Sequence, residues 1–480
     1  MNLAVRSLFV LAVLGTLISQ AQISQFEHVI IIFQENRTPD NLFQGLCTAP
    51  YGKASSCSTK PTGSQYNIKT TNWLDKHSLT GYTKPGPIAL ANAYDVGHGK
   101  TSFDQMCDLD KTTGKCRMDG AGDIVCGGTC PTKPQFKYVD NSTGVINPYL
   151  DLATQYGWAN YMFQTNQGPS YPAHQFIFGG TSAPSAEDDA AGTYASENVT
   201  QPAQPGTAIT GCIALAGSTV KLITPQGENQ KIYPCFEHQT LADLLDAASI
   251  SWKYYAPSAI NLWNAPNSIQ HICVPDAPAG GTCTGEDWTN DVVIGPSTVL
   301  TDIASCNLSQ VSWVIPDGKN SDHASSNDGG GPSWVGSIVN AVGNNPKCPS
   351  GELYWNNTAI LVTWDDWGGW YDHEPPTILA MPYGDYQYGF RVPLLVISAY
   401  TNAGFVNNNR LDFGTILRFV EYNYGLQQGG LNFADSRTTT NLSTFFKLNQ
   451  VPRTFKTINT ALDANFFIHD KRPAVDPDND

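Results

Sequence analysis

Four apolar runs without a single charged residue constrain the fold of this chain more than any other sequence feature. They are Val29–Phe33, Val311–Pro316, Ala359–Thr363 and Val392–Ser398. Runs of this length and composition are typical of strands buried on both faces, as in a parallel sheet covered by helices. We therefore expect these four runs to form the core of a parallel sheet.

Helical patterns lie between the predicted strands. The segment TLADLLDAAS spaces leucines along one helix face, with Thr240 as its N-cap, and the segment DFGTILRFVEYNYGL has Asp412 near its start and Gly425 near its end. Strands that alternate with helices predict an α/β layered fold.

Two stretches, at about 45–135 and 184–300, are weakly periodic and rich in Gly, Pro, Ser, Thr and Cys. We interpret them as insertions on the α/β core. The 12 cysteines form three groups with an even number in each, which favours local disulfides formed in an oxidising compartment. The CGGTC segment at 126–130 could instead be a metal knuckle, but no matching His/Cys pair stands at the required spacing.

The first residues are typical of an export signal, with Arg6, an apolar run and small residues before a cleavage point after Ala21. We expect residues 1–21 to be a signal peptide, and the protein to be secreted or periplasmic; an uncleaved anchor is the alternative. Residues 22–450 would form the α/β domain and 451–480 a C-terminal extension. No later segment is long and apolar enough for a stable membrane span.

The net charge of −15 argues against a nucleic-acid partner, because phosphate backbones are bound by Lys and Arg. A small anionic substrate remains compatible with this charge if a metal ion or a few cations hold it locally.

Oxygen-bearing side chains follow two of the predicted strands. Glu35 and Asn36 come after the first, and Asp365 and Asp366 after the third. Two adjacent aspartates at a strand end repel each other unless a cation neutralises them, and three carboxylates with one amide would suit a divalent ion. The alternative is that these residues cap helices or form turns.

A third segment, TNQGPSYPAHQFIFGG, places Ser170 between two prolines at an expected helix start. There Ser170 could be a nucleophile activated by a metal, although a serine at this position is often only a cap. His174 would lie on the same helix side. His98, His323 and His373 stand in loops where acids and phosphate ligands collect, with a structural role as the alternative for each.

Taken together and in this order, several segments resemble the bacterial phosphoesterase family that includes acid phosphatases and phospholipases C, within the alkaline-phosphatase-like superfamily. The segments are HVIIIFQENRTPDNLFQG, GKCRMDGA, GPSYP, VSWVIP with the following Asp322–His323 pair, AILVTWDDWGGWYDHEPP and RVPLLVISAY. The resemblance implies a three-layer α/β/α sandwich of alkaline-phosphatase-like type with disulfide-stapled insertions.

Carried over residue by residue, the resemblance implies one divalent metal ion, with Mg²⁺, Ca²⁺, Mn²⁺ and Zn²⁺ all compatible. Its ligands would be Glu35, Asn36, Asp365, Asp366 and Ser170. Ser170 would also be the nucleophile, and His98, His323 and His373 would contact phosphate or transfer protons. The chain departs from the family where Ala173–His174 stands in place of the usual Asn-Arg.

We therefore expect a secreted, metal-dependent phosphomonoesterase that works through a phosphoserine intermediate on a small phosphate ester. A phospholipase C acting on phospholipid headgroups is the first alternative, with the aromatic residues beside the acids, Trp364, Trp367, Trp370 and Tyr371, as the candidate rim for a choline-like cation. A non-catalytic binding protein with a structural metal is the second.

Overall fold

The computed structural model describes residues 25–202, 209–381, 384–438 and 440–475 of the chain. The expected signal peptide at 1–21 lies outside these described residues. Within the described part of the chain, no helix combines the length and the apolar character that a bilayer crossing requires.

An eight-stranded sheet forms the middle layer. Its strands, β1 to β8 in chain order, are His28–Gln34, Gly157–Met162, Trp252–Ala256, Val292–Ile294, Val311–Val314, Thr358–Trp364, Leu394–Ile397 and Phe405–Leu411. The order across the sheet is β4-β3-β5-β1-β6-β7-β2-β8. β1 therefore lies inside the sheet, and it runs parallel to both neighbours, β5 and β6.

Each of the four apolar runs coincides with a strand of this sheet, but the expectation of an all-parallel arrangement is wrong for β7. This strand runs antiparallel to β6 on one side and to β2 on the other. An uninterrupted apolar run indicates burial on both faces and carries no information about strand direction. The sheet is therefore mixed.

Helices cover both faces of the sheet. In chain order, α1 to α14 are Pro39–Leu42, Lys100–Cys107, Asn147–Gln155, Ser170–Gly179, Ala186–Ala191, Leu241–Ala247, Gln270–Cys273, Glu286–Asp291, Thr298–Ala304, Gly331–Asn344, Tyr354–Asn357, Phe413–Tyr424, Phe433–Arg437 and Ala464–His469. One layer contains α3, α9, α10, α11 and α14, and the other contains α4, α6, α12 and α13. The predicted α/β/α sandwich is confirmed.

Local sequence signals set the helix ends. Thr240 caps α6 by accepting a hydrogen bond from the N–H of Asp243. Asp412 caps α12 in the same way, and Gly425 ends that helix in the left-handed conformation, with φ of 65°. On the sheet face towards α4 and α12, Trp313 packs against Phe178 and Phe33 packs against Phe413.

Short strands occupy the weakly periodic stretches. Those in 45–135 are Trp73–Leu74, Tyr82–Thr83, Gly86–Ile88, Tyr94–Val96, Leu109–Asp110, Lys115–Cys116 and Cys126–Gly128. Elsewhere they are Lys137–Val139, Tyr194–Ala195, Val220–Thr224, Gly227–Ile232, Ile378–Met381 and Gly384–Gln387.

All 12 cysteines are paired, and every pair stays within its predicted group. The bonds are Cys47–Cys57, Cys107–Cys116, Cys126–Cys130, Cys212–Cys235, Cys273–Cys283 and Cys306–Cys348. The CGGTC segment is therefore closed by a disulfide. The C-terminal segment after residue 450 packs onto the sandwich, with Phe467 of α14 against Trp334 of α10.

Candidate active site

The ends of β1 and β6 bring two pairs of polar residues together. The two strands are parallel and in register along their whole length. Glu35 and Asn36 therefore leave the sheet beside Asp365 and Asp366, although 329 positions separate Asn36 from Asp365. All four side chains are fully buried.

Each aspartate uses one carboxylate oxygen to hold the backbone and presents the other to the site. Oδ1 of Asp365 accepts from the N–H groups of Asn36 and Asp366, at 2.9 and 2.6 Å. Oδ1 of Asp366 accepts from the N–H of Gly368 at 2.7 Å. Among the described residues, Oδ2 of Asp365 has no hydrogen-bond partner, and Oδ2 of Asp366 lies 3.3 Å from Oγ of Ser170.

The backbone of Asn36 is held in a conformation that few residues adopt. Its φ is 60°, in the left-handed region that asparagine tolerates better than most side chains. Gly368 passes close by, and a Cβ there would lie 2.5 Å from the carbonyl oxygen of Asn36. Backbone strain of this kind persists where the surrounding structure enforces it, which is typical of functional sites.

His98 orients the side chain of Asn36. Nδ1 of His98 lies 2.9 Å from the carbonyl oxygen of Val96, so it carries the proton, and Nε2 lies 3.3 Å from Nδ2 of Asn36. The amide oxygen of Asn36 therefore points away from His98. It is buried and has no hydrogen-bond partner among the described residues.

Ser170 is the first residue of α4, as the sequence predicted. Its Oγ lies 3.5 Å from Oε2 of Glu35 and 3.3 Å from Oδ2 of Asp366. Gly168 lets the preceding loop pass closely, because a Cβ there would lie 1.8 Å from the carbonyl oxygen of Ser196. A buried hydroxyl thus stands at the positive end of a helix dipole and beside two carboxylates.

His174 joins the same cluster. Four residues after Ser170 on α4, its Nε2 lies 3.2 Å from Oε1 of Glu35. Burial lowers the pKa of His174 to about 4, against the opposite effect of the charge on Asp365, so the imidazole is neutral near neutral pH. Oxygen or nitrogen atoms of Glu35, His174 and Asp365 lie within 4.8 Å of one another. The helical spacing from Ser170 was the sequence signal for this residue.

Gln164 links the Ser170 loop to the acidic loop. Its Nε2 donates to the carbonyl oxygens of Asn166 and Gly168, at 2.9 and 3.1 Å. Its Oε1 accepts from the N–H of Trp367 at 3.1 Å, one residue after Asp366. Sequence reasoning missed this fully buried residue, because a single glutamine after a strand has no signature of such a bridge.

His323 lies in the loop that follows β5. The ring is buried, its Nδ1 is 2.6 Å from the carbonyl oxygen of Ala324, and its centre is 5.9 Å from that of His98. Arg37 fixes this loop through Nε and Nη2, which donate to the carbonyl oxygen of Asp322 at 2.9 and 2.7 Å. The structure therefore brings His323 and His98 together beside Asn36.

His373 belongs to a different network. Its Nδ1 lies 2.7 Å from Oδ2 of Asp40, and its Nε2 lies 3.0 Å from Oδ1 of Asn67. The neighbouring Asp372 forms a fully buried ion pair with Arg391, at 2.9 Å. Both ring nitrogens are thus engaged by Asp40 and Asn67, and a direct chemical role for His373 stays a prediction.

The four aromatic residues beside the acids are packing residues. Trp364, Trp367, Trp370 and Tyr371 are fully buried. Trp364 donates to the carboxylate of Asp322, and Tyr371 stacks on Trp73 of the first insertion. They do not offer a rim to a choline-like cation.

The donor set fits a divalent cation. Three fully buried carboxylates and one hydroxyl converge, and among the described residues Oδ1 of Asn36 and Oδ2 of Asp365 have no hydrogen-bond partner. Among the described residues no Lys or Arg forms an ion pair with Asp365. Buried charges of one sign are costly without a cation, and hard oxygen donors are those that Mg²⁺, Ca²⁺ and Mn²⁺ prefer.

Comparison with known proteins points to one family. A model of the Phosphoesterase family matches residues 26–427. The non-hemolytic phospholipase C of Pseudomonas aeruginosa is 23% identical over 462 aligned residues, which cover 85% of this chain and 55% of that protein. Phospholipase C A of Mycobacterium tuberculosis is 24% identical over 212 residues, covering 40% of each chain.

The chain thus spans about half the length, or less, of these curated relatives. Among solved structures, a protein in the alkaline phosphatase superfamily from Vibrio parahaemolyticus matches with a TM-score of 0.32 at 12% identity. That match covers 58% of this chain and 60% of the other.

Proposed function

Because the chain belongs to the Phosphoesterase family, we propose that it hydrolyses phosphoric esters with Ser170 as the nucleophile. One observation carries the proposal: Oγ of Ser170 stands at the start of α4 and within 3.5 Å of carboxylate oxygens of both Glu35 and Asp366. A serine that only capped the helix would have no need of two buried carboxylates at its hydroxyl.

Glu35, Asn36, Asp365, Asp366 and Ser170 would hold one divalent cation. When bound, this ion lowers the pKa of the serine hydroxyl and offsets negative charge on the phosphoryl oxygens. Oδ2 of Asp365 and Oδ1 of Asn36 support the assignment, because both are buried without a hydrogen-bond partner among the described residues. His174 supports it less directly, by holding the carboxylate of Glu35.

Ser170 attacks phosphorus in line with the leaving oxygen. The Oγ–P bond forms as the P–O bond to the leaving alcohol breaks, and the carboxylates beside Oγ are placed to take the hydroxyl proton. A protonated His323 gives a proton to the leaving oxygen, and the neighbouring His98 holds the side chain of Asn36. Water then attacks the phosphoserine and gives a proton to His323, while the Oγ–P bond breaks and Oγ recovers its proton from the carboxylate.

Two substrate classes follow from this chemistry. A soluble phosphomonoester is the substrate expected from the sequence. A phospholipid phosphodiester is the second candidate, and the names of the relatives, which are phospholipases C, favour it. The buried aromatic residues beside the acids give it no support.

Export of the protein is part of the proposal. The six disulfides support it, because such bonds form and persist in oxidising compartments. A secreted or periplasmic esterase would meet small phosphate esters or lipid headgroups outside the cytoplasm.

The test is a panel of phosphomonoesters and phosphodiesters, assayed with the wild type, Ser170→Ala and the exposed control Ser350→Ala. We expect Ser170→Ala to lower turnover by about 10³-fold or more with the fold intact by circular dichroism, and Ser350→Ala to match the wild type. Near-wild-type turnover by Ser170→Ala would contradict the serine mechanism. No turnover of any ester by the metal-loaded wild type would favour a binding protein with a structural metal.

A further inference from the structure

The first insertion is a basic lobe on an acidic protein. We use basic lobe for residues 45–135, which carry ten Lys and Arg, seven Asp and no Glu, a net charge of +3. Since the whole chain has a net charge of −15, the rest of it carries −18. A separation of charge as large as this favours an anionic partner for the lobe alone.

The aspartates of the basic lobe are largely neutralised by the lobe itself. These ion pairs are Lys76 with Asp108 and Asp123, Lys100 with Asp104, Arg117 with Asp110, and Lys133 with Asp75. The exposed lysines Lys84, Lys111 and Lys115 form no ion pair with any residue that the structure describes. Lys53 and Lys60 are likewise exposed without an ion pair among the described residues, and together these five lysines supply uncompensated positive charge to the lobe surface.

Large apolar side chains project from the same lobe. Leu79 is fully exposed at the tip of the turn between Asp75 and Gly81, and 71% of Val125 is exposed. Tyr82 and Leu109 are each about half exposed. Exposed apolar side chains that are grouped in one region with polar residues around them mark protein or membrane interaction sites.

Lys76 holds these projecting segments together. Its backbone N–H donates to the carbonyl oxygen of Asp119 at 2.9 Å, and its Nζ lies 3.5 Å from the carboxylate of Asp108 and 2.5 Å from that of Asp123. The turn with Leu79, the hairpin that begins at Leu109 and the segment with Val125 therefore share one region of the surface.

This region adjoins the candidate active site. The carbonyl oxygen of Val125 accepts a hydrogen bond of 3.0 Å from the N–H of Gly97. The next residue is His98, which contacts the side chain of Asn36. A surface that engages Val125 therefore lies against the loop that carries His98.

We propose that this part of the basic lobe docks the protein onto an anionic phospholipid membrane. The docking surface consists of Leu79, Tyr82, Leu109, Val125, Lys84, Lys111 and Lys115. Its apolar side chains stand on separate turns with lysines among them, which suits shallow insertion between lipid headgroups better than a contiguous protein interface. The proposal relies on the proposed function only to explain why the protein would dock. Vesicle binding itself is measurable without turnover.

The test is co-sedimentation of the full chain, carrying Ser170→Ala to prevent hydrolysis, with vesicles. The vesicles contain phosphatidylcholine alone or an equal mixture with phosphatidylglycerol. We expect binding to the mixed vesicles to be at least about tenfold stronger, and to weaken as salt screens the lysines. In this Ser170→Ala chain, the further change Leu79→Asp should weaken binding to the mixed vesicles by about tenfold. The triple change Lys84→Glu, Lys111→Glu and Lys115→Glu should remove the preference for the anionic lipid.

Matched controls lie outside the lobe. They are Val451→Asp, at a side chain 85% exposed, and the triple change of the exposed lysines Lys231, Lys347 and Lys447 to Glu. Both should bind like the parent. Equal binding to the two kinds of vesicle, no binding at all, or equal losses in lobe and control variants would overturn the proposal.

A second readout separates this proposal from the proposed function. With Ser170 restored, the lobe variants should hydrolyse a soluble ester at the wild-type rate, because the docking surface does not touch the reacting groups. Vesicle binding without ester hydrolysis would support docking and refute the hydrolase. Hydrolysis without vesicle binding would refute docking alone.

Discussion

The backbone N–H of Asn36 donates a hydrogen bond of 2.9 Å to Oδ1 of Asp365. This bond ties the ends of β1 and β6 together and determines which oxygens remain for the site. With Oδ1 of Asp365 occupied by backbone donors, Oδ2 stays available, and His98 turns the amide oxygen of Asn36 away from itself. The proposed metal site is thus built by backbone hydrogen bonds as much as by its ligands.

Asp365→Asn should weaken metal retention and turnover together. The amide can still accept the backbone hydrogen bonds, but it removes one negative charge from the ligand set. We expect metal affinity to fall by at least about tenfold and turnover by at least as much, measured by elemental analysis and ester hydrolysis. Asp140→Asn, at an exposed carboxylate, is the control. An unchanged metal content in Asp365→Asn would contradict the ligand assignment.

Gln164→Met should lower kcat more than it raises KM. Methionine keeps the volume of the side chain but removes its hydrogen bonds with the carbonyl oxygens of Asn166 and Gly168 and with the N–H of Trp367. Among the described residues, the carbonyl oxygen of Gly168 keeps only the hydrogen bond from Nδ2 of Asn166, so the Ser170 loop and the acidic loop lose their common anchor. We expect a loss of about 10- to 100-fold in kcat. Gln428→Met, at an exposed position, should behave like the wild type. A kcat within about twofold of wild type would show that Gln164 has no positioning role.

His323 and His373 should respond differently to substitution by phenylalanine. His323→Phe removes the proposed acid and should lower kcat by about 10²-fold or more. His373→Phe removes hydrogen bonds to Asp40 and Asn67, and should lower the free energy of unfolding by about 1–3 kcal/mol with a small change in kcat. Equal losses of kcat in folded protein would instead support the direct role for His373 predicted from the sequence.

Glu421 predicts a pH dependence of stability. Burial, helped by the nearby charge of Asp435, raises the pKa of this carboxyl from 4.5 to about 9. The folded state therefore holds a proton that the unfolded chain releases above about pH 4.5, and stability falls as the pH rises towards 9.

Glu421→Gln mimics the protonated side chain and should remove this loss. We expect it to raise the free energy of unfolding by about 1–3 kcal/mol at about pH 8 and to change it little at about pH 4. Urea unfolding at both pH values checks this, with the exposed Glu187→Gln as control. A gain at the lower pH that equals the gain at the higher pH would contradict the assignment.

The strands that are buried on both faces of the sheet could be predicted from the sequence. Val29–Phe33 and Ala359–Thr363 are strands because uninterrupted apolar residues have to be covered on both sides. β8 was not predictable in this way, because Phe405–Leu411 contains three asparagines and an arginine. The direction of β7 depends on the path of the chain between strands, which no local pattern records.

The residues of the candidate site could be predicted from the sequence, but the orientation of their side chains could not. Carboxylates at the ends of two strands had to meet if those strands were neighbours, and Ser170 was recognisable at a helix start. Which oxygen faces the site depends on backbone donors such as the N–H of Gly368, and the bridge made by Gln164 depends on loops that meet only in the fold.

The most direct test of the central claim is to trap the enzyme during turnover. The metal-loaded protein is mixed with a phosphomonoester, quenched in acid and digested, and its peptides are mapped by mass spectrometry. We predict phosphate on the peptide that contains Ser170, and none on that peptide in Ser170→Ala. Rapid turnover with an unmodified Ser170 peptide, or with phosphate on a histidine-containing peptide instead, would contradict the account.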